Sequence, residues 1–88
     1  MTATVEVIKD IIAKLKRVNA AELASDSDIV DEIGLDSLEM LQFMLELEER
    51  LAIQIDFDAL DFSYLHSISR LADFLETMPA RLPVASTG

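Results

Sequence analysis

The feature that most constrains the fold of this chain is a helix-start signal near its middle, followed by an amphipathic run. The signal is the segment Gly34-Leu35-Asp36-Ser37-Leu38. Asp36 is a good N-cap because a short carboxylate accepts hydrogen bonds from the free N–H groups of the first helical turn. Gly34 permits a tight turn before it, since glycine adopts positive φ at little cost. The pattern predicts a helix that begins at Ser37, with the serine hydroxyl directed outward, where the helix dipole and free N–H groups favour an attached anion such as a phosphodiester.

The predicted helix, from about Ser37 to Leu51, carries more apolar surface than one face of a small bundle buries. On a helical wheel of about 100° per residue, a core-facing arc contains Met40, Phe43, Met44, Leu47 and Leu51. A second apolar arc lies beside it on the flank of Ser37 and contains Leu38, Leu41 and Leu45. The polar remainder is Glu39, Gln42, Glu46 and Glu49. The three leucines are either buried by neighbouring segments or form an exposed strip rimmed by acids, which is typical of a docking surface.

Helical spacing also predicts a first helix over Val5 to Val18 with a core role, whose last turns carry lysines that suit the dipole. A long connection, Asn19 to Leu35, follows. Its apolar residues Leu23, Ile29 and Ile33 are spaced to hold it against the core. The sequence therefore predicts a long, packed loop that returns the chain to Ser37.

Residues 52–61 alternate apolar and polar side chains, but a lone segment of this kind has no partner strand. We expect an extended loop with Ile53, Ile55 and Phe57 pointing inward. Asp58 can then cap a short third helix that carries Leu60, Phe62 and Leu65. Ser67 can cap a last helix, which Pro79 ends, with an inner face of Ile68, Leu71, Ala72, Phe74, Leu75 and Met78. The predicted fold is all-α: a small four-helix bundle with three longer helices and one short one.

The charge and cysteine content exclude several function classes. Seventeen acidic and seven basic residues give a formal charge of −10, which repels nucleic acids and attracts partners with basic patches, unless it serves only solubility. The absence of cysteine excludes disulfides and thiolate zinc sites. No signal peptide and no apolar run of ~18 residues is found, so a soluble, cytoplasmic protein without membrane contact is expected. We also expect a monomer.

Ser37 is not expected to be a catalytic nucleophile. The single histidine, His66, lies in an unrelated connection, and the serine is not part of a Gly-x-Ser-x-Gly elbow. We interpret His66 as a polar residue at a helix junction, with contact to a cofactor or partner as the alternative. Asp56-x-Asp58 lacks the glycine and glutamate of a calcium loop, so no metal site is predicted. An acidic interaction module, in which Ser37 merely starts a helix, remains an alternative to a modified serine.

Residues 31–38, Asp-Glu-Ile-Gly-Leu-Asp-Ser-Leu, resemble the 4′-phosphopantetheine attachment motif of acyl and peptidyl carrier proteins, whose core is Gly-x-Asp-Ser-Leu. The resemblance extends from about Val5 to Met78. The family often has Asp-Leu before the glycine, where this chain has Glu32-Ile33, and both changes keep charge and apolarity. The resemblance implies a discrete carrier domain, over residues 1–79. Because Pro79 does not continue a helix comfortably, we expect a flexible tail at 80–88.

The resemblance further implies that a phosphopantetheinyl transferase, using its own magnesium, moves the arm from coenzyme A to Ser37. Asp36 would cap the helix and help to position the transferase. Partner contacts would fall on Leu38, Leu41, Leu45, Glu39, Glu46 and Glu49. The carrier itself would catalyse nothing and would present thioesters to acyl- or aminoacyl-loading enzymes and to downstream transferases or synthases with basic docking patches. The cargo is acyl, of fatty-acid or polyketide type, or alternatively aminoacyl or peptidyl, and bulky Phe62, Tyr64 and Phe74 could narrow a pocket for it.

Overall fold

Three α-helices and several short helical turns make up the computed structural model, which describes residues 3–80. The helices are α1 (Ala3–Lys16), α2 (Ser37–Leu51) and α3 (Ile68–Leu75). A 3₁₀ turn (Ala20–Glu22) and a π-helical turn (Ile29–Ile33) lie between α1 and α2, and a 3₁₀ helix (Phe62–His66) precedes α3. The all-α prediction is confirmed, and the predicted short helix before the last one corresponds to the 3₁₀ helix Phe62–His66. Of the tail predicted for residues 80–88, only Ala80 belongs to the described residues, and the rest lies outside them.

The core lies where one face of each α-helix meets the others. Helix α1 packs against both α2 and α3. The buried side chains from the three helices are Val5, Ile8, Ile11 and Ile12; Phe43, Met44 and Leu47; and Ile68, Leu71, Ala72 and Leu75. All of these are positions that helical spacing predicts, because residues three and four apart share one side of a helix. The predicted inner-face residue Met78 is an exception, since α3 ends at Leu75, before Pro79 could end it. Within residues 3–80, no helix is both long enough and apolar enough to cross a bilayer.

Both longer helices end in a left-handed residue that is not glycine. Arg17 has φ 57° and Ala52 has φ 54°. The next N–H group reaches back in each case, from Val18 to the Ala13 carbonyl at 3.0 Å and from Ile53 to the Glu48 carbonyl at 3.2 Å, as in a Schellman motif. Helix α1 therefore ends two residues before the predicted Val18, whose side chain is exposed rather than buried.

The long connection packs against the core as predicted. Ile29 is fully buried, and Leu23 and Ile33 are half-buried against the same cluster. The connection is also bonded to the start of α3, because the Ser27 carbonyl accepts from the Ile68 N–H at 3.1 Å. Its final turn is π-helical, with the Gly34 N–H bonded to the Ile29 carbonyl at 3.0 Å. Gly34 then takes φ 75°, which glycine adopts without strain and which lets the chain turn into α2.

The segment between α2 and α3 departs from the sequence prediction in two ways. Asp61, not Asp58, caps the short helix by accepting from the Ser63 N–H at 3.0 Å, so Leu60 lies before the helix. Phe57 is exposed instead of inward-pointing, whereas Ile55 is buried. The alternating pattern failed at Phe57 because the chain turns at Asp56, whose carboxylate accepts from the Asp58 N–H at 3.0 Å. An alternation over a few residues cannot reveal such a turn.

Two other expectations for this region hold. Ser67 caps α3, with its hydroxyl accepting from the Arg70 N–H at 3.4 Å. The extended segment pairs at one point with the chain after α3, in an antiparallel bridge between Ile53 and Ala80. A single bridge is not a sheet, which agrees with the predicted loop.

Candidate functional site

The start of α2 is held by a reciprocal capping box. The Asp36 carboxylate accepts from the Glu39 N–H at 2.8 Å, and the Glu39 carboxylate accepts from the Asp36 N–H at 3.1 Å. The predicted N-cap is therefore confirmed. The return bond from Glu39 was not predicted, although an Asp followed three residues later by Glu is a known signal for it.

Ser37 is the first residue of α2 and is exposed. A group attached to its hydroxyl would lie at the positive end of a fifteen-residue helix. Free N–H groups of a first turn favour phosphate oxygens at such a place. The residues present therefore fit a phosphodiester-linked group.

An apolar groove of about 520 Å³ opens beside Ser37. Its walls come from the connection before α2, from α2 itself and from the segment before α3. The lining residues are Val30, Leu35, Asp36, Ser37, Met40, Leu41, Met44, Phe57, Leu60, Phe62 and Leu65. Because the walls are almost entirely apolar, the groove suits a hydrocarbon chain better than a polar ligand.

The prediction that three aromatic residues narrow one pocket is wrong for two of them. Phe62 does line the groove beside Ser37. Tyr64 and Phe74 instead stack on each other, with ring centroids 5.0 Å apart, and line a separate depression of about 270 Å³. Their positions depend on the turn of the 3₁₀ helix, which side-chain size alone does not indicate.

The second apolar arc of α2 is an exposed strip, formed by Leu38, Leu41 and Leu45. Their relative exposures are 64%, 57% and 55%. Of the two alternatives for these leucines, burial by neighbouring segments is therefore wrong. Leu41 also lines the groove, so the strip and the groove form one continuous apolar surface beside Ser37.

Two of the acids expected to face partners are bonded to α1. The Lys14 ammonium lies 3.0 Å from the Glu46 carboxylate, and the Lys16 ammonium lies 3.1 Å from the Glu39 carboxylate. Glu49 is exposed. The lysines were expected to serve the dipole of their own helix, and their reach across to α2 depends on helix packing that the sequence does not display.

His66 is bonded to the connection between α1 and α2. Its Nδ1 atom lies 2.6 Å from an Asp28 carboxylate oxygen and 3.7 Å from one of Asp31. The Asp28 hydrogen bond raises the pKa of His66. Backbone N–H donation from Asp31, followed by the bond to His66, lowers the pKa of Asp28. The ring of His66 also meets the groove residue Phe62 edge-on, with centroids 5.7 Å apart.

Comparison with known proteins identifies the class to which this fold and site belong. The family model described as "Phosphopantetheine attachment site" matches residues 6–75. The chain belongs to this family, whose members carry 4′-phosphopantetheine as a covalently attached prosthetic group. The all-α arrangement described above is the small fold of the acyl carrier proteins in that family.

Individual relatives fall within the same class. The chain is 30% identical over 71 residues to an acyl carrier protein of Solidesulfovibrio magneticus, covering 81% of this chain and 88% of that protein. It is 39% identical over 56 residues to an acyl carrier protein of Clostridium perfringens, covering 62% and 74%. Identity to the acyl carrier protein AcpXL of Rhizobium etli is 33% over 55 residues, and the matched part spans only 60% of that relative's length.

Proposed function

We propose that Ser37 is the attachment residue and that the chain is a non-catalytic carrier of acyl thioesters. The observation that carries this proposal is an exposed serine at the capped start of α2, beside an apolar groove. A phosphopantetheinyl transferase would join the pantetheine phosphate of coenzyme A to the Ser37 oxygen. The bond between the two phosphates of coenzyme A would break, adenosine 3′,5′-bisphosphate would leave, and the Ser37 hydroxyl would give up its proton to the transferase or to water. The thiol of the attached arm then supplies the thioester linkage.

The residues of this chain would bind and orient the group without reacting with it. Asp36 and Glu39 hold the first turn of α2, so that the hydroxyl of Ser37 is presented outward. The groove would keep an apolar chain out of water, and each buried methylene favours that arrangement by about 0.8 kcal/mol. This apolar lining, together with relatives that are named acyl carrier proteins, supports an acyl cargo of fatty-acid or polyketide type.

Partner enzymes would dock on the exposed strip and its acidic rim. Leu38, Leu41 and Leu45 offer apolar surface next to the attachment residue. Glu39, Glu46 and Glu49 lie on the same helix, and the net charge of −10 would speed encounter with basic docking patches. The transferase, a loading enzyme and the downstream enzymes would each use this surface in turn.

Intact mass spectrometry tests the attachment. The unmodified protein, incubated with coenzyme A and a phosphopantetheinyl transferase, should gain the mass of one phosphopantetheine. Ser37→Ala should gain nothing while keeping its helical circular dichroism, and Ser69→Ala on α3 should be modified like the wild type. A wild type that gains no mass would favour the alternative of an acidic interaction module. Modification of Ser37→Ala would place the attachment elsewhere.

The cargo requires a separate measurement. Mass spectrometry of the thioester-loaded protein isolated from its host should find an acyl group on the arm. An aminoacyl or peptidyl group would overturn the acyl assignment and support a carrier of a nonribosomal or hybrid pathway, with the same attachment residue.

A further inference from the structure

Lys16 at the end of α1 contacts residues on both sides of Ser37. Its ammonium donates to a Glu39 carboxylate oxygen at 3.1 Å and to the Gly34 carbonyl at 3.4 Å. The contacts are partly shielded from water, since the side chains of Lys16 and Glu39 are only 29% and 23% exposed. One cation from α1 therefore spans the residues that precede and follow the serine.

The same Glu39 oxygen is part of the capping box. It accepts from the Asp36 N–H at 3.1 Å as well as from Lys16. Asp36 in turn accepts from the Glu39 N–H. Lys16 thus adds a charge-assisted bond to a carboxylate that already holds the turn, and bonds of this kind are stronger than neutral ones. The Gly34 carbonyl, at the left-handed residue of the turn, is held by the same ammonium.

We propose that Lys16 is a positioning residue for the modification of Ser37. It orders the turn of residues 34–39, acting through Glu39 and the Gly34 carbonyl, so that the transferase meets the serine in a fixed geometry. This inference rests on the proposed function, because it names a residue that serves the same attachment. If the turn were loose, part of the binding free energy would be spent on ordering it, which weakens binding.

Lys14 provides a matched control on the same helix. It pairs with Glu46 at 3.0 Å, carries the same charge, and its side chain is 64% exposed. Glu46 lies more than one helical turn beyond Glu39, outside the turn of residues 34–39. Lys14→Met and Lys16→Met each make the chain one charge more negative and each remove one pair between α1 and α2. Only Lys16→Met releases the turn.

Steady-state kinetics of the transferase on the two variants provide the first test. We expect Lys16→Met to raise the KM for the carrier about threefold to tenfold, with kcat little changed, because a lost ordering contact weakens binding. Charge alone predicts the opposite, since a more acidic carrier attracts a basic transferase more strongly. Lys14→Met should therefore keep or lower the KM. Lys16→Arg should recover most of the wild-type value, because it restores a cation at the same place.

Amide measurements show whether the loss of Lys16 is confined to the turn of residues 34–39, whereas the KM shows whether that turn matters to the transferase. In ¹⁵N spectra, Lys16→Met should shift the amides of residues 34–39 and speed hydrogen exchange at Asp36 and Glu39, leaving the α3 amides unchanged. Glu39→Gln keeps a capping oxygen but removes the charge. In a double-mutant cycle on the KM, the effects of Lys16→Met and Glu39→Gln should therefore be less than additive, and the effect of Lys16→Met that remains in the Glu39→Gln background reports its bond to the Gly34 carbonyl. This cycle keeps the test decisive if Lys16→Met loses stability.

Failure of this inference differs from failure of the proposed function. If Lys16→Met and Lys14→Met have the same KM, or if their effects follow charge alone, Lys16 does not position the site, although Ser37 is still modified. If the wild type itself is not modified, the proposed function fails first. Faster exchange in residues 34–39 without any change in KM would also overturn the inference.

Discussion

Helices α1 and α2 are nearly equal in length, at 14 and 15 residues, but the fold uses them differently. The apolar face of α1 is covered, with Ile8, Ile11 and Ile12 fully buried. Helix α2 buries Phe43 and Leu47 to the same degree and also leaves three leucines more than half exposed. The core therefore accounts for all of the apolar periodicity in α1 and for only part of it in α2. The uncovered part lies beside Ser37, which is where a docking surface would be needed.

The largest expected effect contrasts a buried residue of α1 with exposed residues of α2. Ile12→Ala should lower the free energy of unfolding by roughly 2–5 kcal/mol through lost transfer energy and cavity formation. Leu41→Ala and Leu45→Ala should each change it by no more than about 0.5 kcal/mol, as expected for exposed positions. Urea unfolding followed by circular dichroism measures all three.

Function should respond in the opposite order. Leu41→Ala and Leu45→Ala should slow loading by the transferase or an acyl-loading enzyme, whereas Ile12→Ala should act only through the unfolded fraction. Glu49→Lys should slow encounter, with an effect that shrinks as salt rises. If both leucine variants unfold the domain and the loading rates per folded molecule are unchanged, the leucines are core residues and not a docking surface. The contrast between the two helices would then be wrong.

A smaller effect of opposite sign is expected where the two helices end. Arg17 and Ala52 adopt positive φ, which costs a residue with a Cβ atom roughly 1–2 kcal/mol. Arg17→Gly and Ala52→Gly should therefore raise the free energy of unfolding, by about 0.5–1 kcal/mol after the greater entropy of an unfolded glycine is subtracted. If either variant is destabilised, contacts of the replaced side chain must outweigh the backbone strain.

Salt should stabilise the domain modestly. The exposed pairs between the helices, Lys14 with Glu46 and Arg50 with Asp10 at 3.4 Å, contribute little. Repulsion within a chain of net charge −10 is the larger effect, and salt screens it over a Debye length of ~8 Å at physiological strength. The melting temperature should rise from low to moderate sodium chloride. A fall would mean that the pairs between α1 and α2 outweigh the repulsion.

The last expected effect is a pH dependence of the connection between the two helices. The pKa of His66 is raised in the folded protein by its bond to Asp28. The resulting stabilisation is fully present below the ordinary pKa of about 6.5 and is lost as pH rises through the folded value. The free energy of unfolding should therefore decline with pH just above 6.5, and it should decline less in His66→Asn. The chain has no cysteine and no other histidine, so this difference isolates the pair.

The same pair also makes the free energy of unfolding depend on pH in acid. The pKa of Asp28 is lowered below 3.8, so its contribution is present above that value and is lost as pH falls through the folded one. If the free energy of unfolding has the same pH profile in the wild type and in His66→Asn, both in acid and above pH 6.5, the contact does not contribute to folding. Hydrogen exchange at Val30 and Asp31, whose N–H groups bond to Asp28 at 2.8 Å, would locate any loss.

Features that depend on neighbours in sequence were predictable, and those that depend on neighbours in space were not. The caps Asp36 and Ser67 were predicted because each bonds within three residues of itself. The cap at Asp61 was missed because several acids precede that helix and any of them could cap it. The turn at Asp56, which the sequence does not reveal, places Asp61 at the helix start. Phe57 illustrates the same difficulty, because alternation does not say which side of a loop the core covers.

The candidate site divides along the same line. The sequence motif predicted the position of Ser37 at the start of a helix, and the helical wheel offered the exposed strip as one of two alternatives. It could not show that Lys16 reaches Glu39 or that His66 reaches Asp28, contacts that join residues 23 and 38 positions apart. The roles of Ser37 in attachment and of the strip in docking remain predictions for the experiments above.

The pairing of Lys14 with Glu46 has a consequence for any partner that brings a cation to this carboxylate. Such a cation must first displace Lys14, so one ion pair is exchanged for another and little net free energy is gained, on the order of 1 kcal/mol or less. The exchange leaves the rate of approach intact, because that depends on the long-range field. A partner would therefore associate quickly, and contacts with the apolar strip would set most of its residence time. When the partner dissociates, Lys14 can pair with Glu46 again.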